Sequence, residues 1–229
     1  MGLQELHRRR LVNTVLVTSA NTFIGNVSDT INTPALLAAK LSNYPSNTSF
    51  NESDIHNFTI IGSDIKCYIG INYSIKSSPF SNLSLTYYSD SNNFCKKIPS
   101  YAFLSQTALT YVNLEGLTSL PVGAFRWSGL ESAYFPNVLE LINGGSSNFH
   151  FQDCTNINSI YLPSCTIFGY GFNGTSYVPQ PAVNNNCFLD IKLGCEITVP
   201  TEMQTVNSGG LEADLAYARD SRSAVMIYV

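Results

Sequence analysis

The sequence predicts a mainly β protein: a parallel β solenoid preceded by a short helical or irregular amino-terminal region and closed by a carboxy-terminal capping strand. Three observations carry that prediction. Apolar residues recur at offsets 0, 3 and 5 in Leu109-Val112-Leu114, Leu130-Ala133-Phe135, Ile157-Ile160-Leu162 and Phe188-Ile191-Leu193, with starts 21, 27 and 31 residues apart. Proline follows the apolar segment directly at Pro136 and Pro163, where its missing N–H ends ladder pairing. An Ala-Phe step recurs between segments, at Ala102-Phe103 and Ala124-Phe125, with Phe149 or Phe151 near the next expected place.

The spacing fits neither a helical period of about 3.6 nor the plain alternation of a half-buried strand. It fits a coil of chain in which residues 3 and 5 of a short strand point inward while residue 0 turns the corner into the core. One such turn buries little, and stacked turns make a continuous interior. Looser copies begin at Phe80 and Ile55. Residues 54–97 therefore read as an irregular β region or as early solenoid turns, and 98–200 as the solenoid proper. Within it, GYGFNGTSYVPQPAVNNN reads as an inserted loop.

The flanks follow different rules. Residues 1–53 form an amino-terminal docking segment with one short helix over 31–44, where Thr33 can cap, Pro34 suits the first turn, and LLAAKL supplies good helix formers. PSNTSFNES after it is a polar loop. Residues 201–229 form the carboxy-terminal cap: a glycine turn, a charged segment, then AVMIYV, an apolar strand placed to close the solenoid's open edge.

Composition narrows the function. Only 12% of the 229 residues are charged, and Asn, Ser and Thr together exceed a quarter of the chain, so uncharged polar groups solvate the surface. Between residues 98 and 218 the only basic residues are Arg126 and Lys192, against nine acidic ones; a phosphate backbone would be repelled there, and no nucleic acid partner is expected. The six cysteines form no CxxC and have no histidine at ligand spacing. They read as buried free thiols, and no metal or cofactor is expected. Seven N-x-S/T sequons are close to the chance number for this composition. No segment has the length of a membrane span, so no membrane insertion is expected. His7-Arg8-Arg9-Arg10 before LVNTVLVTSA is only superficially an export signal, since Asn13 and Thr14 interrupt the apolar run.

FQDCTNINSIYLPSC at 151–165, with the Ala-Phe steps and the Leu-Pro strand ends, resembles the BspA-type leucine-rich repeat found in bacterial surface proteins and in some phage proteins. The likeness covers about residues 98–200 and implies a leucine-rich-repeat-like solenoid that binds and carries no catalytic motif. It implies either a phage virion structural or attachment protein or a secreted bacterial adhesin. The virion is the expected location, because the family's surface members show a clear export signal and many more repeats. That expectation has the mature chain beginning at or next to Met1; a start near Asn21 would indicate the adhesin. Expected partners are other virion proteins through the amino-terminal segment and a host-surface protein or glycan; a homo-oligomer is compatible with the low charge.

Candidate site residues follow from the coil. Positions between the inward residues face outward and align as Asn113, Tyr134, Tyr161 and Lys192, with Tyr111, Ser132, Ser159 and Asp190 alongside. Tyr111, Tyr134, Tyr161, Asp190 and Lys192 are the expected ligand-binding residues, with Tyr134 over Tyr161 at the strand spacing of roughly 4.8 Å. No catalytic residue is expected. His7, His56 and His150 lie far apart in sequence and read as structural. The alternative of a glycan-cleaving solenoid would place Glu131, Asp153 or Asp190 in a carboxylate pair, although Asp153 reads more simply as a turn residue. Asn143-Gly144-Gly145 lacks the lysine of a phosphate loop and reads as a turn.

Overall fold

The computed structural model describes residues 21–26, 33–42, 51–61, 64–69, 73–74, 85–90, 93, 95–143, 149–172, 177–179, 187–204 and 213–229. The first strands are β1 (Asn21–Asn26), β2 (Ile55–Ile61), β3 (Asp64–Ile69), β4 (Tyr73–Ser74), β5 (Leu85–Asp90) and β6 (Cys95–Lys97). The coils add β7 (Tyr111–Leu114), β8 (Ser119–Leu120), β9 (Ser132–Tyr134), β10 (Glu140–Asn143), β11 (Ser159–Tyr161), β12 (Ile167–Phe172), β13 (Tyr177–Pro179) and β14 (Glu196–Val199), and β15 (Val225–Tyr228) is last. Two α-helices accompany them, α1 (Pro34–Ser42) and α2 (Ala213–Arg222).

A nine-stranded sheet runs in the order β15-β14-β11-β9-β7-β5-β1-β3-β2. From β5 to β15 every pairing is parallel, as a coiled chain requires, because each strand is reached only after a full circuit. Tyr88, Val112, Ala133, Ile160, Ile197 and Met226 share one inward row. At the other end β1, β2 and β3 pair antiparallel, and β1 joins β5 antiparallel. A second face carries β8, β10 and β12 in parallel, edged by β13.

The Ala-Phe steps form the third side of each coil. Phe103 N donates to Ala124 O at 2.8 Å, Phe125 N to His150 O at 3.0 Å, and Phe151 N to Cys187 O at 2.8 Å. This ladder settles the choice between Phe149 and Phe151 in favour of Phe151. Phe103, Phe125, Phe151 and Phe188 have no exposed surface. Their rings stack from coil to coil, with centroids 5.1, 5.8 and 5.9 Å apart and planes within 8° of parallel. Each buried ring contributes on the order of 1.5–3 kcal/mol of apolar transfer. Two residues after each Phe the backbone turns left-handed, at Ser105, Trp127, Asp153 and Asp190 (φ 57, 60, 60 and 53°). The coils also meet closely at Gly129, where a Cβ would run into the carbonyl oxygen of Thr107.

Three expectations need correction. Phe188-Ile191-Leu193 is not the fourth strand: it is a turn, and the partner of Ile160 is Ile197, six residues beyond Ile191. Ile55-Phe58-Ile60 lies on β2, in the antiparallel part and not in a coil. The coil that precedes β7 contributes β5, which begins at Leu85; most of the copy expected from Phe80 lies outside the described residues. The expected loop at 169–186 also contains structure, since Tyr170, Gly171 and Phe172 pair antiparallel with Pro179, Val178 and Tyr177. Gly144 and Gly145 lie outside the described residues.

Both flanking helices are anchored. In α1, Leu36 N donates to Thr33 Oγ1 at 3.2 Å, the cap that the Thr-Pro start announces, and Leu37 and Ala38 are buried. The charged segment ADLAYARDSR forms α2. Buried Asp214 accepts from Cys187 N at 3.1 Å, and Arg222 Nε and Nη2 donate to Ile191 O at 2.9 and 2.6 Å. The helix thus covers the last coil, and β15 then pairs along β14. Among the described residues no helix is long and apolar enough to cross a membrane.

Candidate recognition face

On the outer face of the parallel sheet, register fixes two columns. The first holds Tyr87, Tyr111, Ser132, Ser159, Glu196 and Val225; the second holds Ser89, Asn113, Tyr134, Tyr161, Thr198 and Ile227. Tyr87 stacks on Tyr111 (centroids 4.6 Å, planes 13° apart), and Tyr134 stacks on Tyr161 (4.5 Å, 6°). The pairs lie in neighbouring columns of four consecutive strands, so a staggered strip of four half-buried tyrosines crosses β5, β7, β9 and β11. Ser159 Oγ donates to Ser132 Oγ at 3.2 Å beside it, and Asn113 Nδ2 to Glu115 Oε1 at 3.1 Å.

Burial raises the Tyr111 phenol above its usual value, and the neighbouring Tyr87, Tyr134 and Glu115 push the same way. Burial also raises Tyr87, against hydrogen bonds with Ser89 and Tyr111 that lower it. Both phenols stay neutral at physiological pH, so they offer hydroxyl donors and acceptors with no charge.

Tyr111, Tyr134 and Tyr161 therefore lie together as the sequence predicts, and Tyr87 joins them unanticipated; its signal was Tyr-Tyr in LTYYSD, visible only once β5 is in register with β7. Asp190 and Lys192 do not belong to the columns, because the strand opposite β11 is β14 and their places are held by Glu196 and Thr198. Asp190 is instead a left-handed turn residue paired with Arg222 at 3.5 Å. Lys192 Nζ donates to Asn158 Oδ1 at 2.6 Å, just before β11, at the rim of the face.

Of the candidate catalytic carboxylates, Asp153 and Asp190 hold structural partners. Asp153 Oδ2 accepts from Trp127 Nε1 at 2.7 Å, and Glu131 is an exposed residue whose backbone oxygen accepts from Asn158 and Ser159. His7 and the side chain of His56 lie outside the described residues. His150 is fully buried; its Nε2 lies 3.1 Å from Leu120 O, and burial lowers its pKa to about 4 despite the raising effect of the Leu120 and Ile142 carbonyls. All six cysteines are buried free thiols. Burial pushes Cys154 up to about 11 and Cys67, Cys165 and Cys195 up to about 12, and raises Cys95 and Cys187 as well. A protonated buried thiol is a poor nucleophile and ligand. Among the described residues no group of three or more His, Cys, Asp or Glu is placed to hold a metal ion.

Stacked parallel strands, an inward Phe per coil and a repeating left-handed turn define the repeat unit. A family model for the BspA type leucine rich repeat region matches residues 43–146 and 73–209, with six copies. The chain belongs to this family. For a BspA-type leucine-rich repeat chain, membership supports a repeat-based protein-binding or surface role. The match begins well before the coils that FQDCTNINSIYLPSC resembles, reaching into the antiparallel strands. No curated protein and no solved structure matches the chain.

Proposed function

We propose that this protein is a non-enzymatic binding scaffold that engages a partner protein through the tyrosine strip of its parallel sheet, and that it does so as an attachment protein displayed on a phage virion. One observation carries the reading: Tyr87, Tyr111, Tyr134 and Tyr161 are aligned in two stacked pairs on an outward face. Tyrosine gives a recognition surface a large, stiff apolar plane and a hydroxyl at small entropic cost. Around the strip stand Glu115, Glu131 and Glu196, with Lys192 at the rim, which favours a partner presenting amides and cations. The low-charge exterior rich in Asn, Ser and Thr supports an externally displayed particle component, with the amino-terminal segment docking on other virion proteins.

The test is binding of the purified chain to an array of host envelope proteins, wild type beside the double variant Tyr134→Ser/Tyr161→Ser. Serine already occupies the same column at Ser89. Binding at least tenfold weaker in the double variant, with the melting temperature shifted by only a few degrees, supports the reading; binding indifferent to the change contradicts it. Immunogold labelling of intact particles tests the virion setting separately.

A further inference from the structure

The turn side of the coil carries a second exposed cluster, away from the sheet columns. The slot one residue after each stacked Phe holds Leu104, Arg126, Gln152 and Leu189, and the next, left-handed slot holds Ser105, Trp127, Asp153 and Asp190. The fold therefore asks for no particular side chain at either slot. Only one coil puts a cation and a large aromatic there. A bulky residue at positive φ is also costlier than the serine or aspartate of the sister coils.

The Arg126 guanidinium lies 4.1 Å from the Trp127 ring centroid and 4.4 Å from that of Phe149. Two rings thus fix its orientation. Among the described residues it has no carboxylate partner, and its buried Nε has no hydrogen-bond acceptor. Trp127 keeps 45% of its surface exposed while its Nε1 is tied to Asp153 Oδ2. An immobilised guanidinium fork lying over the indole, the part of that ring left exposed and a carboxylate at its edge make a recognisable set. The fork pairs with a carboxylate in bidentate fashion, the indole plane takes the C–H face of a pyranose ring, and Asp153 Oδ1 accepts a sugar hydroxyl.

We propose that Arg126, Trp127 and Asp153 form a binding site for a carboxylate-bearing saccharide, a sialic acid or uronic acid residue, separate from the tyrosine strip. Trp127 is the chain's only tryptophan, so its emission reports on the site directly. Titration with 3′-sialyllactose and with trigalacturonate is expected to give a saturable change with at least one of them. Lactose should bind at least tenfold more weakly than 3′-sialyllactose, and maltotriose at least tenfold more weakly than trigalacturonate. Arg126→Gln, which copies the sister residue Gln152, should weaken binding tenfold or more. Trp127→Ser, which copies Ser105, should abolish it by calorimetry. Both variants should keep the wild-type melting temperature within a few degrees, and Tyr134→Ser/Tyr161→Ser should bind the acidic sugar as wild type does, which separates this site from the sheet face. No saturable change with either acidic sugar, neutral sugars binding as tightly as their acidic counterparts, or unchanged binding in Arg126→Gln would each overturn the proposal.

Discussion

The four phenylalanines inside the coil and the four tyrosines outside it are products of the same geometry. Each row takes one aromatic residue per turn, the inner at one register position throughout and the outer in two stacked pairs. The inner rings have no exposed surface and run unbroken through Phe103, Phe125, Phe151 and Phe188. The outer rings are half-buried and change column between Tyr111 and Tyr134. An aromatic row with packed atoms on all sides holds the coils together. A row with solvent on one side adds little to stability.

That contrast can be broken at graded strengths. Phe151→Ala removes a ring held between Phe125 and Phe188, and should cost about 3–5 kcal/mol in denaturant unfolding; a loss as small as that of an outer tyrosine would erase the distinction between the rows.

His150, beside Phe151, extends the inner row to a titratable group. Its folded pKa of about 4 lies below the ordinary 6.5, so between those values the unfolded chain binds the extra proton. Its contribution to stability is therefore complete above about pH 6.5 and is lost as pH falls toward 4, by about 3 kcal/mol in all. The stability of the wild type should fall more steeply over that window than that of His150→Gln; parallel curves would show that the imidazole is not buried neutral.

Gly129→Ala pushes a methyl group into the Thr107 carbonyl and should cost about 1–3 kcal/mol, read as a shifted unfolding midpoint with an unchanged slope. Tyr161→Ser on the outer face should cost less than about 1 kcal/mol, and a larger loss would make the strip part of the fold's support.

Much of this was legible in the sequence where chemistry and repeat coincide. The strands near Leu109, Leu130 and Ile157 announce themselves because both inward strand positions are apolar in each. The fourth failed for a physical reason. In the first three coils the third residue after the stacked Phe is Gln106, Ser128 or Cys154, but in the last it is Ile191. Phe188-Ile191-Leu193 thereby imitates a strand while belonging to the turn, and Leu193 is 63% exposed. The true strand, EITV, has Gly194 at its corner position, which carries no apolar signal. Asp190 and Lys192 belong to that turn as well, and Glu196 and Thr198 hold the column positions. Tyr87 was hidden because β5 also ends in a polar inward residue, buried Asp90, which accepts from Cys95 N. No strand period points to the Arg126–Trp127 cluster, since it depends on a turn whose left-handed residues have no shared side chain.

The register of the last coil decides the stacking order. In Ser159→Cys/Glu196→Cys, the two new thiols sit on neighbouring rungs of one column, roughly 4.8 Å apart by strand spacing and within disulfide reach; the native thiols are buried and protonated. Copper-phenanthroline oxidation should cross-link this pair rapidly and leave Ser159→Cys/Asp190→Cys reduced. A cross-link in the Asp190 pair with none in the Glu196 pair would contradict the stacking order on which both faces rest.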